Sequence, residues 1–141
     1  MILYFDTSAL MKRYLAEADS ILVRQAVAKA TVCATCRITW AEAMAALARR
    51  QREMPADLAA LDRARQQLRA DWERSIVVDV TQPLVELAGD LADTFALRGY
   101  DSVQLAAAKI LHDASGGRVS FACFDTRLQK AAKVLGMAVL Q

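Results

Sequence analysis

Four acidic residues, Asp6, Glu42, Asp101 and Asp125, carry the chemistry that this sequence can offer. Ile2-Leu3-Tyr4-Phe5 is apolar without a break and stops at Asp6, with Thr7 and Ser8 next. Such a run reads as a central strand of a parallel sheet, covered by helices on both faces. Val119-Ser120-Phe121-Ala122-Cys123-Phe124 stops in the same way at Asp125. In open α/β sheets the carboxyl ends of the strands are where ligands bind. Glu42 falls in the first turn of the helix after a second strand candidate, Thr31–Cys36. Asp101 begins the helix that feeds the strand at 119–124. That helix must run antiparallel to the strand, so its start lies at the same edge. Four carboxylates gathered at one edge repel each other and raise their pKa values. A divalent cation relieves this, and oxygen-only ligands suit Mg²⁺ or Mn²⁺.

Taken singly, each acid has a plainer role. Asp6, Asp101 and Asp125 can be helix N-caps, each contributing about 1 kcal/mol. Glu42 can close a capping box that Thr39 opens. Their common edge is what favours a site. Asp79 ends a third strand candidate and is an outer, fifth possibility. Asp93 falls mid-helix, on a solvated face. His112 lies late in its helix, away from the edge, in a structural or exposed role. Cys33 and Cys36 form C-x-x-C, and Cys123 with His112 would bring a metal set to four. Residues three apart on a strand point to opposite faces, however, so small buried side chains are the better reading. Gly116-Gly117 lacks the spacing of a phosphate loop. Arginines at 49, 50, 52, 63, 65, 69 and 74 are interleaved with acids, as a solvated helix face or an RNA-backbone contact.

The elements that position the acids follow in order. A helix is expected through Leu10, Met11, Tyr14 and Leu15, and a second after Asp19-Ser20. A third opens at Thr39 and ends in Arg49-Arg50-Gln51-Arg52, whose charge suits a helix carboxyl end. Pro55-Ala56-Asp57 starts a fourth, and Ser75–Val80 is the third strand. Pro83 sits in the first turn of a fifth helix, which runs to about Leu97. Arg98-Gly99-Tyr100 breaks it, and Asp101 caps a sixth. A seventh helix ends at Gly136, and Met137–Leu140 is a last short strand. Strands alternating with helices imply an α/β fold with a central parallel sheet of about five strands.

The 141 residues suffice for one domain, 1–141, with a real core. At 55% hydrophobic and 24% charged, the composition is that of a folded globular protein. The net charge of +2 neither demands nor excludes a nucleic acid. No signal segment is expected at the start, since Asp6 interrupts the apolar run. No apolar stretch approaches the roughly 20 residues that span a bilayer. A cytoplasmic protein without a membrane partner is the expectation.

Asp6-Thr7-Ser8-Ala9-Leu10-Met11-Lys12-Arg13-Tyr14 resembles the opening of PIN-domain proteins, and of VapC-type toxins in particular. Leu97-Arg98-Gly99-Tyr100-Asp101-Ser102-Val103-Gln104-Leu105-Ala106 resembles a second signature of that family, and Phe124-Asp125-Thr126-Arg127-Leu128 a third. The resemblance covers nearly the whole chain in order and length. It implies a metal-dependent endoribonuclease, a small antitoxin that blocks the site, and a homodimer. By position it makes Asp6 and Asp101 the principal metal ligands. Glu42 and Asp125 complete the set, and Ser8 and Thr126 hold carboxylates by hydrogen bonds.

Phosphodiester hydrolysis needs an activated water and a stabilised leaving oxygen, and two metal ions about 3.5–4 Å apart can supply both. The products expected are a 5′-phosphate and a 3′-hydroxyl. No histidine is required. Lys12, Arg13, Arg98 and Arg127 are candidates for gripping phosphates. An antitoxin would insert a basic residue among the acids. Three other readings compete. A phosphoacceptor signalling domain needs an acidic pair after the first strand, where this chain has Thr7-Ser8 behind Asp6. A haloacid-type phosphatase needs an aspartate where Ser8 stands. A catalytically silent binding module of the same fold is the last alternative.

Overall fold

β1 (Ile2–Phe5) is buried along its whole length. It lies at the centre of a parallel sheet, between β2 (Val32–Cys36) and β4 (Val119–Ala122). Ile2 stands level with both Val32 and Val119. β3 (Ile76–Val78) extends the sheet beyond β2, and β5 (Ala138–Val139) extends it beyond β4. The order is therefore β3-β2-β1-β4-β5, all parallel. The computed structural model describes residues 1–140; Gln141, the last residue of the expected domain, lies outside the described residues. The fold is α/β, as the alternation of apolar runs and helical patterns predicts.

Helices cover both faces, so the apolar run of β1 has no solvent side. α1 (Thr7–Tyr14), α2 (Ser20–Lys29), α3 (Thr39–Glu53) and α4 (Leu58–Trp72) form one layer, which packs on Leu3 and Phe5. α5 (Gln82–Phe95), α6 (Gly99–Ala114) and α7 (Thr126–Val134) form the other, which packs on Ile2 and Tyr4. The two-residue alternation of a strand divides the core in this way. Cys33 and Cys36 obey the same rule. Cys36 joins the Tyr4 side and Cys33 the Leu3 side, and both are free thiols. The C-x-x-C spacing therefore gathers no ligands.

β1 is also the point where the chain changes direction across the sheet. From β1 it winds outward through β2 to β3, then returns to place β4 on the other side of β1. The crevice beyond β1 is thus the expected binding position for this architecture. The strand order differs from the 2-1-3-4-5 order of flavodoxin-like phosphoacceptor domains.

Several boundaries move from their sequence positions. β3 stops at Val78, because Asp79 turns to Arg37 at 2.8 Å and Val80 is exposed. α5 ends at Phe95, with Ala96 in a left-handed conformation at φ 54°. α6 begins at Gly99 behind an Arg98 cap, so Asp101 is a first-turn residue and not the cap. Asp19 precedes α2 without capping it. The Ser20 hydroxyl fixes that turn instead, accepting from the Glu17 N–H and donating to the Leu15 carbonyl. Thr39 opens α3 without a capping bond, being buried in a polar network described below. Among the described residues, no helix is long and apolar enough to cross a membrane.

α6 meets the sheet and α5 through small side chains. Ala106, Ala107 and Ala108 are fully buried beside Ala88 and Leu105. Close approach of this helix holds its first turn at the carboxyl edge. Ala107→Leu overfills that seam and should cost about 1–3 kcal/mol. The check is a lower urea midpoint at an unchanged m-value.

Candidate active site

Each of the four acids reaches the sheet's carboxyl edge by a different route. Asp6 follows β1 directly and caps α1. Its Oδ1 accepts the Ala9 N–H at 2.9 Å and the Ser8 hydroxyl at 3.2 Å, and the residue is only 6% exposed. Glu42 stands in the first turn of α3, where its Oε1 accepts the Thr7 hydroxyl at 2.8 Å. Asp101 stands in the first turn of α6, with Oδ2 accepting from Arg98 Nε at 3.0 Å. Asp125 precedes α7 and makes no capping bond. All four line one cavity of about 680 Å³.

Sequence reasoning missed Gln104, which braces this site from below. It is 2% exposed and sits one turn after Asp101 on α6. The buried Tyr4 hydroxyl donates to its Oε1 at 2.6 Å. Its amide nitrogen donates to Thr39 Oγ1 at 2.9 Å and to Glu42 Oε1 at 3.2 Å. The Thr35 hydroxyl reaches both Thr39 and the Phe5 carbonyl. Residues of β1, β2, α3 and α6 are thereby locked around Glu42. A lone amide inside Val103-Gln104-Leu105-Ala106 was the available signal, since a buried amide requires partners.

Other expected residues fall differently. Thr126 is exposed and makes no hydrogen bond to a carboxylate among the described residues. Asp79 is held by Arg37 and does not line the cavity. Lys12 and Arg98 line it, but Arg13 turns away to Asp71 at 3.3 Å. His112 accepts the Val119 N–H at Nδ1, a structural role far from the acids. Much of the arginine-rich face is internally paired: Arg49 with Glu53, Arg65 with Asp62, and Arg74 with Asp71.

The electrostatics centre on Asp6. Burial pushes its carboxyl up to about 6 from the usual 3.8; the Ala9 and Ser8 hydrogen bonds oppose this, and Asp101 and Glu42 add to it. The donor set fits a hard divalent cation. Asp6, Glu42 and Asp101 each commit one oxygen to positioning bonds and leave the other uncommitted. Among the described residues no three such side chains already close around a metal position. The carboxylates line one cavity without meeting at a point.

The sign of the linkage follows from the raised value. Between pH 3.8 and about 6 the folded state holds a proton at Asp6 that the unfolded state has released. The metal-free protein should lose stability as pH rises through that window. Asp6→Asn retains a capping oxygen and should escape the loss, leaving it more stable than wild type by about 3 kcal/mol above pH 6. Urea denaturation in chelator across pH 4–7, for both proteins, checks this.

Residues 3–134 match the PIN domain family. Ribonuclease VapC45 of Mycobacterium tuberculosis (strain CDC 1551 / Oshkosh) is 30% identical over 138 residues, covering 98% of this chain and 94% of that protein. Among solved structures, a toxin–antitoxin complex from Klebsiella pneumoniae contains a similar chain, with TM-score 0.65 and 19% identity. That similarity covers 99% of this chain and 96% of the other. The structure of VapBC2 from Rickettsia felis bound to a DNA fragment from their promoter gives TM-score 0.66 at 12% identity, covering 99% and 97%. The solved structures share the fold, the sequence match spans almost every element, and the chain belongs to the PIN domain family.

Proposed function

We infer that this chain is a divalent-metal-dependent endoribonuclease, the toxin of a toxin–antitoxin pair acting in the cytoplasm. One observation carries the reading: four carboxylates share one cavity, and three of them are held by one oxygen with the other left uncommitted. The similarity to a protein named Ribonuclease VapC45 supports RNA as the substrate.

Asp6, Asp101, Glu42 and Asp125 would hold Mg²⁺ or Mn²⁺. A bound divalent ion supplies a lowered water pKa and positive charge for the leaving oxygen. The chain's own groups do the rest. Ala9 and Ser8 orient Asp6, while Thr7 and Gln104 orient Glu42. Arg98 neutralises Asp101 and stays exposed, able to take a phosphate oxygen. Lys12 supplies a second cation on the cavity wall. Histidine takes no part.

The same charge balance accounts for an inhibitor. An antitoxin that inserts an arginine or lysine among the acids replaces the cation and blocks the phosphate. A second copy of the chain is the other expected partner. The strand order argues against the phosphoacceptor alternative, and the intact acid set disfavours a silent binding module.

Single-stranded RNA should be cleaved in Mg²⁺ or Mn²⁺ and spared in excess chelator. Asp101→Asn keeps the shape of the side chain and removes its charge. It should lower kcat by two orders of magnitude or more, on the scale of losing an electrostatic catalytic group. It should also reduce the rise in Tm that Mg²⁺ produces in the wild type. An Asp101→Asn protein that cleaves at the wild-type rate would remove the four-acid site.

A further inference from the structure

The catalytic cavity does not end at its acids. A second cleft of about 630 Å³ shares Arg98, Asp101 and Asp125 with it, so the two meet along that wall. Beyond the shared wall their charges differ. The catalytic cavity adds three acids, Asp6, Glu17 and Glu42, against Lys12 and Arg49. The second cleft adds only Arg127 and Lys130 as charged groups, both positive.

α7 places these two cations by its own periodicity. Leu128, Ala131 and Ala132 are buried against the sheet, so Arg127 and Lys130, three residues apart, share the exposed face. Arg127 Nη1 donates to the Ala96 carbonyl at 2.9 Å, at the left-handed residue that ends α5. That bond holds the guanidinium at the rim and leaves its other nitrogens free. Lys130 makes no ion pair among the described residues.

We propose that this second cleft is the exit track for the RNA backbone on one side of the scissile phosphate, with Arg127 and Lys130 binding successive phosphates. The proposal rests on the endoribonuclease reading above. An endonuclease must let its strand run past the acids in both directions, and the shared wall puts Asp101 and Asp125 between two open spaces. The two spaces also differ in what they can read. Tyr100, 49% exposed, lines the catalytic cavity with the Arg98 guanidinium over its ring at 5.1 Å, and the pair offers a stacking contact for a base. The α7 cleft has no aromatic lining, so it holds phosphates without regard to sequence.

The experiment is equilibrium binding of labelled single-stranded RNAs to the Asp6→Asn protein, alone and combined with Lys130→Ala or with Arg127→Gln/Lys130→Ala. The RNAs carry one cleavage site and are extended on its 5′ side, its 3′ side or both. Lys133→Ala, an exposed cation of α7 outside the cleft, is the control. Each cation lost should flatten the plot of log K against log salt by about 0.7, which amounts to about fivefold in affinity at 0.1 M salt. The loss should appear only for RNAs extended on one particular side, and equally for unrelated sequences there. Unchanged affinity and slope, an equal loss in Lys133→Ala, or a loss tied to one sequence overturns the cleft. So does a defect confined to binding of a partner protein. Wild-type protein that still cleaves RNA limits the failure to the cleft, whereas wild type that does not cleave in Mg²⁺ removes the ribonuclease reading as well.

Discussion

A carboxylate buried at the end of the central strand is the constraint on which the site depends. Asp6 is nearly inaccessible, and its charge is opposed by burial and by two acids nearby. It is tolerated because the same oxygen that caps α1 also accepts the Ser8 hydroxyl. The capping role and the chemical role are therefore not alternatives. The bond to Ala9 fixes the carboxylate, and fixing one oxygen leaves the other aimed by default. Preorganisation of this kind places the repulsion in the folded state, which under the proposed function is a trade of stability for activity.

The brace beneath Asp6 explains how distant elements keep register to within a hydrogen bond. Gln104 comes from the helix layer on the Tyr4 side, and Glu42 from the layer on the Leu3 side. Their bond crosses the end of the sheet. Tyr4, Thr35 and Thr39 complete a network in which no buried side-chain polar atom lacks a partner among the described residues. A buried network that is fully satisfied stiffens its surroundings, and a partly satisfied one is costly. The alanine seam of α6 serves the same end from outside. It brings the first turn of that helix, and Asp101 with it, up to the sheet edge.

Much of this architecture was legible because strands and acids share one pattern. An apolar run that stops at an acid marks both a buried strand and the edge where the acid lies. Ile2–Asp6 and Val119–Asp125 carry it openly. The direction of α6 followed from topology alone, so Asp101 could be placed without knowing any contact. What was not legible depended on who bonds with whom. Thr39 looks like a capping residue because the S/T-x-x-E spacing is a local signal, yet its hydroxyl is taken by Gln104 from a different layer. Asp79 looks like a strand-end acid of the same kind as Asp6, and only its pairing with Arg37 shows otherwise. Arg13 sits beside Lys12 in sequence, but a helix turns each successive residue by about 100°, and the two face different partners.

The acids differ in how firmly they are held, and the difference has a direction. Asp6 and Glu42 each accept two hydrogen bonds within the protein, Asp101 accepts from one exposed arginine, and Asp125 has no capping bond at all. Rigidity thus falls from the strand end outward to the wall shared by the two cavities. A group that must grip a cation gains from a fixed geometry, because no ordering entropy remains to be lost on binding. Asp101 and Asp125, at the wall, would pay more of that ordering on taking up a cation than Asp6 and Glu42. Arg98 stands at the same wall. Bonded to Asp101 it offsets the charge of the wall, and its exposure would leave it free to follow a phosphate if the proposed substrate binds there. The chain thus carries its own counter-charge at the wall that the two cavities share.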